Sequence, residues 1–218
     1  MKKSLRLKIA LLSFVDKSIE RINRMLAPKF SLEQAEDSFR SVVSALNETP
    51  MKGRYWLCGG GVLGYARCGS FLSHDSDIDF HYWAEDETLF CQVTRDLGNL
   101  GLEQVLTYIN NDGKPIVHKF SHKGIGIDFF PCWRDNGFIY WMSNISRHRS
   151  RPARQFLSRV PDQQMKEVEF LGVPVFMPKD TDQYLTSLYG DWRIPMPDYC
   201  YWIDSKAIIS CDPWRHST

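Results

Sequence analysis

The sequence predicts an α+β fold, α/β-like in its alternation, with a mixed β-sheet flanked by helices. Two observations predict it. Apolar residues recur at helical spacing early in the chain and again after Asp86 and Asp180, while short period-2 or continuous apolar runs lie between. At 218 residues, 43% hydrophobic, the chain is long enough to bury a sizeable core as one domain or two subdomains.

The N-terminus, MKKSLRLKIALLSFVDKSIERINRML, carries Leu5, Ile9, Leu12, Val15, Ile19, Ile22 and Leu26 on one helical face, with Lys and Arg between them. Such a basic amphipathic helix either packs on the domain or a partner chain, or makes peripheral contact with a membrane. It begins like a secretory leader, but the apolar run of residues 9–15 meets Asp16 and Lys17 without a small-residue cleavage site. A cytoplasmic protein, at most held at the inner membrane surface, is expected. Ser31 and Gln34 make a capping box ahead of a helix to about Leu46. Residues 1–50 are therefore expected to form a helical segment packed on a domain of residues 51–218.

The chemistry is concentrated in WLCGGGVLGYARCGSFLSHDSDIDF, from Trp56 to Phe80. Residues 55–58 read as a buried strand, Gly59, Gly60 and Gly61 as a turn, and residues 62–66 as the start of a helix. Amides uncrowded by side chains at the positive end of a helix suit a phosphate or diphosphate. Arg67, about two turns in, could close over a phosphate oxygen as a bidentate donor. Asp75, Asp77 and Asp79 then alternate. In a strand, Asp77 and Asp79 share a face with Cα atoms about 6.6 Å apart. Like charges that close call for a hard cation such as Mg²⁺ (or Mn²⁺), which takes oxygen ligands and commonly adds substrate phosphates to its shell. Glycines alone would read as a tight turn, and a lone DxD as a solvated loop. Their combination at this spacing points to metal-assisted chemistry on a phosphate.

Residues 86–99 then read as helix, 102–109 as strand and 110–114 as an Asp-Gly turn, followed by a hairpin of strands 115–121 and 125–130. Within GIGIDFFP, Asp128 is an isolated acid in an apolar period-2 run, costly if unpaired. It is either a metal ligand or general base, or a buried Asp satisfied by backbone amides. The run RHRSRPARQFLSR, residues 147–159, is either a solvated basic loop or a mobile loop for a diphosphate or anionic acceptor. No nucleic-acid motif stands beside it, and the formal net charge of +1 gives no global pull on nucleic acid. Asp180 and Gln183 cap a helix ending near Leu188, and YGDWRIPMP turns the chain sharply afterwards. Tyr189, Asp191 and Trp192 either line a pocket or tuck the C-terminal loop against the sheet. The six cysteines show no CxxC pair, which favours a reducing compartment. His118, His122 and Cys132 could share a zinc ion, or are plain structural residues, since they lack the tight ligand pairs and an evident fourth ligand of a usual zinc site.

These residues resemble the LicD/fukutin family of phosphotransferases, within the nucleotidyltransferase-fold superfamily. GGGVLGYAR, from Gly59 to Arg67, is similar to the family's GGTLLGxxR motif. LSHDSDID, from Leu72 to Asp79, fills the slot of its WDDDID motif, and Tyr184, Leu185 and YGDW match its closing YL...YGxxW element. The chain departs at Gly61, where the family has threonine, and at His74 and Ser76, where it has Trp and a middle acid. The resemblance implies a nucleotidyltransferase fold with Mg²⁺ (or Mn²⁺) held by Asp75, Asp77 and Asp79, completed by Asp128 from a later strand. It further implies phosphate binding at Gly59, Gly60, Gly61, Gly64 and Arg67, and a substrate pocket with His74, Tyr189, Asp191 and Trp192. The implied reaction moves phosphocholine or an alditol phosphate from a CDP-linked donor to a hydroxyl of a cell-surface glycan, releasing CMP. Nucleotidyl transfer from a triphosphate is the alternative within the superfamily. A metal-free binding protein with a decayed site is the alternative outside it.

Overall fold

The structure is a computed structural model and describes residues 31–73, 75, 77–145 and 153–214. The expected amphipathic N-terminal helix, His74, Ser76 and residues 147–152 of the arginine-rich run lie outside the described residues.

Ser31 opens the first helix as its capping pattern predicts. Its hydroxyl accepts from Gln34 N at 3.1 Å, and Gln34 Oε1 accepts from Ser31 N at 3.2 Å. This helix, α1 (Leu32–Asn47), buries Ala35, Phe39, Val42, Val43 and Leu46 along one stripe. The stripe packs against an eight-stranded mixed sheet. β1 (Tyr55–Leu57), β2 (Asp77–Trp83), β5 (Ile125–Asp135), β6 (Phe138–Ile145), β7 (Arg154–Pro161) and β10 (Ile208–Pro213) follow one another across it. β4 (Pro115–His122) also pairs with β5, and β3 (Glu103–Ile109) pairs with β4. A separate hairpin joins β8 (Met165–Phe170) to β9 (Val173–Pro178). Of the described pairings in the large sheet, β2 with β5 alone is parallel. A parallel pair needs a long crossover. Helix α3 (Glu87–Asp96) and the β3–β4 hairpin supply it.

Hairpin register is set by three two-residue turns in which both residues have positive φ: Lys123 (52°) with Gly124 (82°), Asn136 (46°) with Gly137 (79°), and Leu171 (54°) with Gly172 (82°). Turns of this hand match the twist of the flanking strands. The first turn sets His122 opposite Ile125 and hence Lys119 opposite Asp128. Strands β6, β8, β9 and β10 are not predicted from the sequence. The basic run is also corrected: from Arg154 it is strand β7, not loop. Arg159 spends its charge inside the fold, stacking 4.1 Å over the Phe138 ring and donating to Tyr140 OH at 3.3 Å. Alternating residues of the run face inward, and that burial outweighs the solvation of the arginines between them.

One face of the β2–β5 pair forms the aromatic core. Phe80 stacks 5.1 Å from Phe129 and 6.2 Å from Phe39, while Phe90 of α3 lies 5.1 Å from Phe129. All four rings are fully buried, each adding about 1.5–3 kcal/mol of transfer free energy. Side chains alternate along a strand, so the same packing turns Asp77, Asp79 and Asp128 to the other face. Near that face, helix α4 (Thr181–Tyr189) contacts β7 and the glycine segment, its start capped by Asp180, which accepts from Gln183 N at 2.9 Å. No helix among the described residues is long and apolar enough to cross a membrane.

Candidate active site

Helix α2 (Gly59–Cys68) begins at Gly59 itself, with Cys58 as its cap residue, so the glycines are its first turn and not a separate loop ahead of residue 62. Close packing overrides the low helix propensity of glycine. A Cβ on Gly61 would meet Leu57 Cδ1 at 2.6 Å, and one on Gly64 would meet the Ser70 carbonyl oxygen at 2.3 Å. Gly59 takes φ +54°, a conformation that disfavours other residues. The Gly61 departure thus has a local cause: a side chain there would point at Leu57 in the core.

The first turn of α2 abuts the acids. A Cβ on Gly59 would lie 3.4 Å from Asp79 Oδ2, and one on Gly60 3.0 Å from Asp75 Oδ2. In the parallel register Asp79 stands beside Asp128, and Asp77 beside Gly126. One carboxylate oxygen from each of Asp77, Asp79 and Asp128 lies within 4.8 Å of the others. Bonds of 2.0–2.1 Å set ligands on one Mg²⁺ no more than about 4.2 Å apart, so the cluster closes on an ion with small side-chain movements. Its all-oxygen donors are those a hard cation prefers. The residues present therefore fit the cation that the sequence resemblance implies.

Sequence reasoning missed Lys119. From β4, opposite Asp128, its Nζ makes a short ion pair with Asp128 Oδ2. Burial opposes its charge, but Asp128, then Asp77 and Asp79, outweigh that and hold the ammonium above the ordinary lysine range. Burial and the Asp77 charge, partly offset by Lys119, push the Asp128 carboxyl up to about 6. Burial, then Asp77 and Asp128, push Asp79 well up from 3.8. Lys119 thus sets a positive charge beside the three close carboxylates. Cys58 is driven well up by burial and by Asp79, which keeps its thiol protonated and unsuited to nucleophilic work.

The remaining expected residues divide. The Tyr189 ring is half-buried, and after desolvation and Tyr199 the charges of Asp75 and Asp79 raise the pKa of its phenol, which sets the ring near the acids. Tyr184 OH accepts from Gly59 N at 3.0 Å, so one amide of the cradle already has a partner. Arg67 lies in the last turn of α2, about 12 Å along the axis from Gly59. Its Nε donates to the Trp192 carbonyl at 2.9 Å and its Nη2 to the Ile194 carbonyl at 3.3 Å. It ties down the C-terminal loop and is not beside the glycines. Trp192 Nε1 donates to Asp182 at 2.8 Å, and Asp191 is exposed. His118 and Cys132 face opposite sides of the sheet, and His122 Nδ1 is 2.7 Å from Ser38 Oγ, so these three do not share an ion.

A family model described as LicD/FKTN/FKRP, nucleotidyltransferase domain, matches residues 52–180. The chain belongs to the LicD family. Among curated proteins, none matches the sequence. The LicD match spans the glycines, all four aspartates and Lys119, and ends at the cap of α4, before Tyr189 and Trp192. LicD membership gives the chain a phosphotransferase-type, glycan-modifying role.

Proposed function

We propose that this LicD domain moves a phospho-substituent, phosphocholine or an alditol phosphate, from a CDP-linked donor to a hydroxyl of a cell-surface glycan and releases CMP. The observation that carries the reading is the abutment of three converging carboxylates with the amide-bearing first turn of α2. One element suits a divalent cation and the other suits a phosphate, and a diphosphate spans both. Bound Mg²⁺ or Mn²⁺ would neutralise charge on the diphosphate and on the departing CMP.

Asp77 and Asp79 hold the cation, with Asp75 beside the Gly60 turn. The amides of Gly60 and Gly61 orient the donor phosphate. The acceptor oxygen bonds to the phosphorus that carries the substituent, and the bond from that phosphorus to the bridging oxygen of CMP breaks. Asp128, ionised at neutral pH yet more basic than an ordinary carboxylate, takes the hydroxyl proton. Lys119 steadies that carboxylate and faces the same negative cluster.

Binding of CDP-choline, CDP-ribitol, CDP-glycerol, CDP, ATP and UTP, each with and without Mg²⁺, tests the reading. Mg²⁺-dependent preference for one CDP-linked compound, with CMP as the nucleotide product, supports it. Preference for a triphosphate with release of pyrophosphate replaces it by nucleotidyl transfer, the reading that the domain type favours as second.

A further inference from the structure

We infer that Glu87, Cys91 and His118 form a second metal site, suited to zinc, on the face of the sheet opposite the aspartates. Glu87 and Cys91 stand four residues apart on α3 and therefore project from one side of it. His118 comes from β4, where it pairs with Phe129 of the aromatic face, one position from the Lys119–Asp128 pair on the other face. One ligand atom from each of the three lies within 4.8 Å of the other two.

The contacts inside the cluster set its ligand atoms at separations close to those of a coordination shell. Cys91 Sγ is 3.3 Å from Glu87 Oε1, and His118 Nε2 is 3.0 Å from the same oxygen. Nε2, on a ring only 3% exposed, has this charge contact with Glu87 but no well-aligned hydrogen bond among the described residues. Zinc bonds of 2.0–2.3 Å at tetrahedral angles place ligand atoms about 3.3–3.8 Å apart. The two contacts to Glu87 need to open by only a few tenths of an ångström, with the cation replacing the proton that Cys91 shares with Glu87.

Behind the ligands stands the support that metal sites normally have. Thr107 Oγ1 lies 2.9 Å from His118 Nδ1 and also accepts from Gln104 Nε2 at 2.9 Å, which orients the imidazole. The Tyr82 hydroxyl donates to Glu87 Oε2 and leaves Oε1 for the cation. A thiolate, imidazole and carboxylate set prefers zinc to magnesium. Glu87 and Cys91 are half-buried, so a water completes the shell from solvent. The site clamps α3 to β4 and is independent of the transfer chemistry.

The full chain, loaded with Zn²⁺ and freed of excess, is assayed by elemental mass spectrometry, and a Co²⁺-loaded sample by absorption. One zinc per chain and a thiolate-to-cobalt charge-transfer band are expected. Cys91→Ser abolishes the band and, with His118→Asn, weakens binding by at least about 100-fold, whereas Asp77→Asn leaves the zinc content unchanged. A wild-type chain that retains no zinc, or cobalt bound without the thiolate band, overturns the inference without relying on any variant's folding. Zinc lost on Asp77→Asn also overturns it, because the ion then sits among the aspartates.

Discussion

Asp128 shows how a single position can be legible in kind and opaque in detail. An acid inside an apolar period-2 run announces a partner or an ion, and the parallel register beside Asp79 supplies the setting. Its lysine partner was within reach of the sequence. Once the turn is set at Lys123 and Gly124, counting back along both strands puts Lys119 opposite Asp128. A lone lysine in PIVHKFS is otherwise an unremarkable strand residue. Under the proposed function Asp77→Asn or Asp79→Asn removes a carboxylate that holds the cation, so turnover should fall by more than the roughly 10–100-fold typical of outer-shell changes, while circular dichroism stays that of the wild type. Lys119→Met should act in two opposite ways. Without metal it strands a buried carboxylate, costing about 3 kcal/mol, the low end for a broken buried pair because Lys119 is partly exposed. With the competing positive charge gone, Mg²⁺ should bind more tightly, and titration calorimetry of the two proteins reads both effects. Equal Mg²⁺ affinities would remove Lys119 from the site's electrostatics.

Among the elements, the glycine segment is the one whose function and packing coincide. Read alone, GGG suggests a turn, because glycine is a poor helix former. The structure starts a helix there because β1 and the Ser70 carbonyl leave no room for a Cβ at Gly61 or Gly64. Propensity reports the cost of glycine and is blind to the neighbour that demands it. Gly64→Ala should destabilise the fold by about 1–3 kcal/mol, the usual cost of overpacking, since the obstructing atom is backbone and cannot swing away. Chemical denaturation reads this as a lower midpoint at unchanged slope. The strands β6, β8 and β9 were missed for a related reason. Each is completed by a hairpin partner, and only the Asn136–Gly137 pair advertises its turn by composition. At the other end of α2, Arg67 was read as a phosphate ligand because it follows the glycines in sequence, although helical rise carries it away from them. Arg67→Ala should free the loop of residues 190–197, seen as faster proteolytic nicking there, with binding of the donor phosphate little changed.

For the molecule as a whole, the acid cluster makes stability depend on pH in an unusual direction. Ordinary paired carboxylates have lowered pKa values and lose stability in acid. Asp128 is raised from 3.8 to about 6, with Asp79 moved the same way. Between about pH 4 and 6 the native state therefore binds more protons than the unfolded chain. The contribution of Asp128 is fully present below the unfolded value and is lost as pH rises through about 6, a change of up to about 3 kcal/mol for a shift of this size. Metal-free protein should accordingly melt at a lower temperature at pH 6.5 than at pH 4.5, by several degrees at roughly 2–4 °C per kcal/mol for a chain of this size. A divalent cation takes the place of those protons, so saturating Mg²⁺ should raise the melting temperature most at the higher pH and flatten or reverse the slope. Asp128→Asn should flatten the metal-free slope. A wild-type melting temperature that stays level or climbs from pH 4.5 to 6.5 without metal would mean that the three carboxylates do not press on one another in solution, and the electrostatic case for a cation between them would go with it.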